Sequence, residues 1–311
     1  MSQSQSTENN GKEVQGITRI SVQGFKSLYN ECSIEIRPLT ILAGANSSGK
    51  SSIMQPLLLM KQTLEATYDP GALLLNGPNV GFTLFEQFLP SFAGTISTDI
   101  FSAELEISCK KSIKIQFQKQ LSKEIEINKT IYQENKATLT VFAGMNRSDV
   151  LSLLHQRYVD RELGQIFLKG TGEMVDKLEW SIVRERCFLN IDCKSIGYTE
   201  VGGEKVEVPV TLYDSRSGTS LFESHIRKLI HVPGLRSKPE RTYPTTAVGA
   251  EFTGIFENYV ASVINYWQQK KDEQLIELGK FLERLGLTWK IIAIRVNDVQ
   301  IELRVGRLPN S

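Results

Sequence analysis

Apolar and polar residues alternate over 17–22 (ITRISV) and again over 32–36 (CSIEI), the period-two pattern of half-buried strands. The turn Gly24-Phe25-Lys26-Ser27-Leu28 lies between them, so the two runs are expected to form a hairpin-type pair. Pro38 ends the second run. Residues 39–43 (LTILA) are a short apolar stretch, as expected of a strand buried on both faces. A Gly-rich loop follows, then a helix predicted over about 50–66. Pro56 falls inside it, removing an N–H and crowding the Ser52 carbonyl, so the helix must kink or start late. The run Leu57-Leu58-Leu59-Met60 suggests that this helix is buried on more than one face.

Residues 71–95 are rich in Gly and Pro and read as loops. Over 100–142 short alternations recur (Leu105/Ile107, Ile113/Ile115/Phe117, Ile125/Ile127, Leu139/Val141), predicting an antiparallel meander of four or so strands. Helical spacing marks 147–168 through Val150, Leu153, Leu154, Tyr158, Leu163 and Phe167. Strands return over 178–213, interrupted by a turn at Gly202-Gly203, and 219–231 is helical again. A Pro/Gly/Arg-rich loop fills 232–248, and helices are predicted over 251–269 and 272–285. Residues 289–294 and 299–305 alternate around Asn297-Asp298, a plausible hairpin. No internal repeat is visible.

Composition narrows the class. The 311 residues are 41% hydrophobic and 23% charged, ordinary for a globular protein with one large or two modest domains. A net charge of +1 exerts no bulk pull toward nucleic acid or a membrane surface. Residues 1–15 are polar, lack the apolar core of a targeting peptide and read as a disordered tail. No apolar stretch approaches a membrane span. Cys32, Cys109, Cys187 and Cys193 form no C-x-x-C pair, which suits free thiols in a cytoplasm. Cys187 and Cys193 with His225 and His231 have the wrong spacing for the common zinc patterns.

The chemistry lies in Gly44-Ala45-Asn46-Ser47-Ser48-Gly49-Lys50-Ser51, which satisfies G-x-x-x-x-G-K-[ST] and continues into Ser52. Gly44 and Gly49 admit dihedrals closed to other residues, so successive N–H groups can converge on an anion. The N-terminus of the following helix adds to that field. Lys50 would bridge the β- and γ-phosphates of ATP, and the Ser51 hydroxyl would ligate Mg²⁺.

Asn46 at the third position makes the loop resemble the ABC/SMC variant of the P-loop. Gly24-Phe25-Lys26-Ser27 resembles the turn that opens SMC-, RecF- and OLD-like ATPase heads. The continuation SSIMQPLLLMKQTLE and the loop at 231–244 (HVPGLRSKPERTYP) resemble a related branch of AAA-type ATPases. That resemblance is strong over 17–66, extends to 231–260, and between them covers only the order of elements. It implies an α/β fold of the P-loop NTPase, ABC/SMC-head type: a mixed sheet around the P-loop strand, the antiparallel meander at 100–142, and a helical portion at 147–168 and 251–285. Residues 16–311 would be the N-terminal part of such a domain.

Related heads also need an S-G-G-Q-like signature, a Walker B strand ending in Asp-Glu, and a switch histidine. None is evident here: Asp214 is followed by Ser215 and Asp192 by Cys193. The resemblance therefore implies an ATP-binding subunit or N-terminal lobe that hydrolyses ATP slowly or not at all alone. It would act as a homodimer or with a partner lobe or subunit, gating a nuclease effector or DNA transaction in repair or anti-phage defence. A nucleotide-binding scaffold without turnover is the alternative.

Lesser candidates each carry a plainer reading. Gln87 matches the position of a Q-loop residue or is a solvated loop glutamine. Phe25 and Lys26 line the adenine side or are a core ring and a surface cation. Arg236 and Arg241 reach phosphate, a partner or DNA, or belong to a solvated basic loop. Asp149, Asp160 and Glu162 would serve a nuclease only by converging on a metal, and their scatter on the helical pattern reads instead as a charged outer face.

Overall fold

The computed structural model describes residues 16–92, 95–96, 98–108, 110–120, 124–135, 137–158, 179–201, 204–234 and 239–306. Strands β1 (Ile17–Gln23) and β2 (Cys32–Glu35) pair antiparallel, with Ile20 opposite Ile34. The meander follows as β5 (Ile100–Ile107), β6 (Lys111–Lys119), β7 (Ile125–Glu134) and β8 (Ala137–Phe142). Short strands β3 (Ser91–Phe92) and β4 (Thr95–Ile96) make a separate hairpin before it. The main sheet has the order β2-β1-β5-β6-β7-β8. Register places Phe101 opposite Phe117 and Leu105 opposite Ile113, so one face is continuously apolar.

Helix α1 (Gln55–Glu65) packs in the same core, and every residue from 56 to 64 is buried. It begins five residues after Lys50, the late start that Pro56 demands. The ring sits in the first turn, where no i−4 hydrogen bond is lost. Burial on all sides requires its polar side chains to find partners. Gln62 Nε2 donates to the Leu74 and Val80 carbonyls at 2.6 and 3.1 Å, while its Oε1 accepts from the Asn79 and Val80 N–H groups. Thr63 donates to Leu59 O and accepts from Leu74 N–H. Each such bond avoids the 1–3 kcal/mol or so that an unpaired buried polar group costs.

Helix α2 (Arg147–Tyr158) packs against β8. The predicted continuation to 168 lies outside the described residues. A second sheet, β11-β10-β9, contains β9 (Glu179–Glu185), β10 (Phe188–Val201) and β11 (Glu204–Asp214). Gly202 and Gly203 also lie outside the described residues, but Val201 pairs with Glu204 on either side of them. Helix α3 (Arg216–Arg227) follows and contacts α1 and β10.

A smaller core forms around Ala261, Ile264, Ala293 and Ile301. It joins α4 (Val260–Lys270) and α5 (Glu273–Arg284) to β12 (Tyr243–Pro244), β13 (Ile291–Arg295) and β14 (Gln300–Val305). The expected hairpin is the β13–β14 pair.

Two expectations are corrected. The α/β class stands, but every described strand pair is antiparallel, so the sheet is not mixed. Residues 39–43 form no strand, and Leu39 and Ile41 are 79% and 78% exposed. The segment is apolar enough for a buried strand, yet no described strand lies beside it to pair with.

Candidate functional site

The site begins with the turn after β1. Gly24 adopts φ 73°, and a Cβ there would lie 2.6 Å from the Ile100 carbonyl, so only glycine lets β5 approach. Gly24 N–H donates to Leu28 O at 2.7 Å and Lys26 N–H to Phe88 O at 2.7 Å, which fixes the turn against the loop after α1. Phe25 is fully buried, its ring 5.3 Å from Phe88 and 5.4 Å from Phe101. This places it in the core and removes it from any adenine-lining role. Lys26 stands with its ammonium 4.7 Å from the centre of the Phe82 ring, and partial burial lowers its pKa.

The turn buttresses the glycine-rich loop. A Cβ on Gly49 (φ 92°) would fall 2.8 Å from Leu28 Cδ2 and 3.0 Å from Ser27 Oγ. Gly44 has φ 153°, with Ser48 Oγ 2.9 Å from the space a Cβ would fill. Ser47 also lies in the left-handed region at φ 64°. Alternating backbone handedness of this kind turns N–H groups toward one side. Ser48 N–H donates to Ala45 O at 3.3 Å. Among the described residues, no acceptor is seen for the N–H groups of Gly49, Lys50, Ser51 and Ser52. Lys50 Nζ donates to the Gly44 and Ala45 carbonyls at 2.8 and 2.6 Å, which holds the ammonium across the loop. Ser51 is exposed, whereas Ser52 is buried. Asn46 and Ala45 are exposed on the rim.

The other candidates separate from this loop. Gln87 Oε1 accepts from Thr83 and Leu84 N–H at 2.8 and 3.2 Å, capping the short 3-10 turn Phe85–Phe88. Its acceptor is spent locally, which corrects the Q-loop reading. Asp149 accepts from Asn146 N–H at 2.9 Å, and Asn146 Oδ1 accepts from Ser148 and Asp149 N–H. That reciprocal pair starts α2 and explains Asp149 as a cap.

Asp192 and Asp214 face each other across β10 and β11. Asp192 pairs with Lys194 at 2.8 Å. Asp214 pairs with Arg216 at 2.9 Å, and Arg216 also reaches Glu185 at 2.7 Å. Neighbouring cations neutralise the two carboxylates where they stand. Cys187 and Cys193 are both buried. Burial pushes the Cys187 thiol far above its ordinary value and the Cys193 thiol up to about 12. No group of three metal-ligating side chains occurs among the described residues. His225 and His231 are half-buried, and burial lowers both pKa values. Arg241 is exposed, and Arg236, Asp160, Glu162 and Cys109 lie outside the described residues.

Sequence reasoning missed two features. Ser27 and Leu28 wall the loop at Gly49, a contact between segments distant in sequence that no spacing rule anticipates. Lys61 and Glu65 form an ion pair at 2.5 Å with side chains 0% and 5% exposed. Their i,i+4 spacing is legible, but such pairs usually stand on a solvated face. A surface cavity of about 350 Å³ lies beside Pro70, Leu73, Glu126 and Arg184, and no residue of 44–52 lines it.

Among the described residues, no helix is long and apolar enough to cross a membrane. No curated protein matches the chain. Residues 16–177, just over half of its length, match the family described as AAA ATPase domain. They include β1, its glycine turn, the loop at 44–52, α1 and the meander. The chain belongs to this AAA ATPase domain family.

Proposed function

We propose that this chain is the ATP-holding N-terminal lobe, or subunit, of an ATPase of the ABC/SMC-head type. The observation that carries the reading is the loop itself: left-handed backbone at Gly44, Ser47 and Gly49, N–H groups without acceptors among the described residues, and Lys50 held across them. A polyphosphate suits this arrangement, because its oxygens accept from backbone N–H groups while the ammonium neutralises charge. Residues 44–52 would hold the phosphates, Lys50 exchanging its two carbonyl acceptors for β- and γ-phosphate oxygens. Ser51, exposed at the end of the loop, would be the protein ligand of Mg²⁺. When bound, Mg²⁺ supplies further neutralisation of the phosphate charge. Lys26, whose N–H is anchored to Phe88 O, would add positive potential from the neighbouring turn.

Turnover needs a carboxylate able to hold metal or orient water. Asp192 and Asp214 are each engaged by a cation, which counts against their supplying one. The exposed apolar side chains of segment 39–43, Leu39 and Ile41 foremost, support completion by a further polypeptide segment that would cover them. Nucleotide-dependent dimerisation, through which the assembled ATPase would gate a nuclease or another DNA-repair or defence effector in the cytoplasm, belongs to the same proposal. A non-hydrolysing scaffold is the second reading, favoured by the same paired carboxylates.

The test is titration calorimetry with Mg²⁺-ATP alongside phosphate release, on wild type and Lys50→Ala. Binding without turnover, lost in Lys50→Ala, is the expected result. Robust turnover by the chain alone would overturn the incomplete-site reading, and absence of binding would overturn the nucleotide site. ATP-dependent sedimentation as a dimer would favour the gating ATPase over the scaffold.

A further inference from the structure

The Lys61–Glu65 pair does more than fill the core. The Lys61 ammonium has three protons and three acceptors: Glu65 Oε1 at 2.5 Å, the Arg227 carbonyl at 2.7 Å and the Phe252 carbonyl at 3.3 Å. The second oxygen of Glu65 accepts from Gly254 N–H at 3.0 Å. Three segments distant in sequence therefore meet on one ionic joint: α1, the C-terminus of α3 and the loop at 251–254. The Arg227 carbonyl is one of the unsatisfied acceptors at a helix end, where the helix dipole also favours a cation. Gly254 takes φ 75° to present its N–H, with Pro78 beside it.

Each side of the joint leads to a distinct part of the molecule. Helix α1 is the direct continuation of residues 44–52, and Lys61 sits less than two turns into it. The loop leads through Phe252, whose ring lies 4.9 Å from Phe256 and 5.2 Å from Tyr259, into α4 and the smaller core. Tyr259 also donates to the Thr253 carbonyl at 3.0 Å. Lys50 rests on the Gly44 and Ala45 carbonyls, so phosphate arriving there would shift it and the backbone that opens α1. A fully desolvated, hydrogen-bonded pair tolerates little displacement before a proton or lone pair goes unsatisfied.

We infer that Lys61 and Glu65 are positioning residues that couple phosphate occupancy at 44–52 to the placement of the 251–259 segment. The inference rests on the nucleotide reading above. By reciprocity, a partner that moves the 251–259 segment would change nucleotide affinity by the same factor.

The experiment is amide hydrogen exchange on the full chain with and without Mg²⁺-ATP, read on peptides covering 251–259, with ATP binding measured on the same samples. Wild type is expected to bind ATP and to change exchange in this segment by roughly 5-fold or more, the scale of an ordinary coupling. The double variant Lys61→Met/Glu65→Leu removes both charges together and so leaves no lone buried ion. It should still bind ATP while the segment no longer responds. ATP bound by wild type without a change at 251–259, or a double variant that responds as wild type does, overturns the coupling and leaves the nucleotide site standing. No ATP binding by wild type overturns both. If that double variant does not fold, Lys61→Met/Glu65→Gln, which also removes both charges and keeps an acceptor for Gly254 N–H, serves in its place, and the same two outcomes decide.

Discussion

Leu28 occupies the space that any side chain on residue 49 would need: Cδ2 lies 2.8 Å from the Cβ position of Gly49. The turn after β1 and the glycine-rich loop at 44–52 are therefore one packed unit. Gly49→Ala is expected to destabilise the chain by about 1–3 kcal/mol, from the clash and from a strained φ together. It should also abolish ATP binding. Thermal melts and calorimetry check this, and an Ala variant that melts and binds like wild type would refute the packing argument.

Ile41 should behave oppositely. At 78% exposure its replacement by Asn should alter the stability of the isolated chain by no more than about 0.5 kcal/mol. The same change should abolish assembly with whatever polypeptide completes the segment 39–43. A melting temperature that falls as it does for a core substitution would show that this segment is already packed.

Lys61→Met alone leaves the Glu65 carboxylate, 5% exposed, without its cation. Denaturant unfolding should register a loss of about 3–5 kcal/mol, whereas Lys61→Met/Glu65→Leu should cost far less. Equal losses in the single and double variants would mean that the pair contributes through packing alone.

Asp69 accepts from Arg184 at 2.7 and 3.1 Å and from Gly71 N–H at 3.1 Å. The Arg184 hydrogen bond, aided by Gly71, holds its carboxyl at about 2, below the ordinary 3.8. A depressed folded-state pKa stabilises above the unfolded value and loses that contribution as pH falls through the folded one. The stability difference between wild type and Asp69→Asn should therefore be constant above about pH 5 and shrink between about pH 4 and 2. A difference that stays constant down to pH 2 would exclude the pairing as its source.

Much of the architecture was readable from periodicity. The alternations at 100–142 gave four antiparallel strands because one face of that sheet is solvated and the other carries Phe101, Ile113, Ile115 and Phe117. Pro56 announced the late start of α1 because its ring and missing N–H act within a single turn. The roles of Gln87, Asp149 and Asp214 were not legible, for the opposite reason. Their roles depend on which donors fold back onto them: Thr83 and Leu84, Asn146, and Arg216.

By itself the sequence determined the local features. These are the Gly44–Gly49 spacing with Lys50, the β1–β2 pair, the meander and the β13–β14 hairpin, since each follows from the dihedral freedom or side-chain period of neighbouring residues. Only the tertiary structure decided that Phe25 is core, that Leu28 walls Gly49, that 39–43 stands bare, and that Lys61 joins α1 to Arg227 and Phe252. Burial and hydrogen-bond satisfaction are properties of segments brought together from far apart in the chain. A lysine in an apolar helix therefore carries no sign in sequence of whether it meets water or a buried carboxylate.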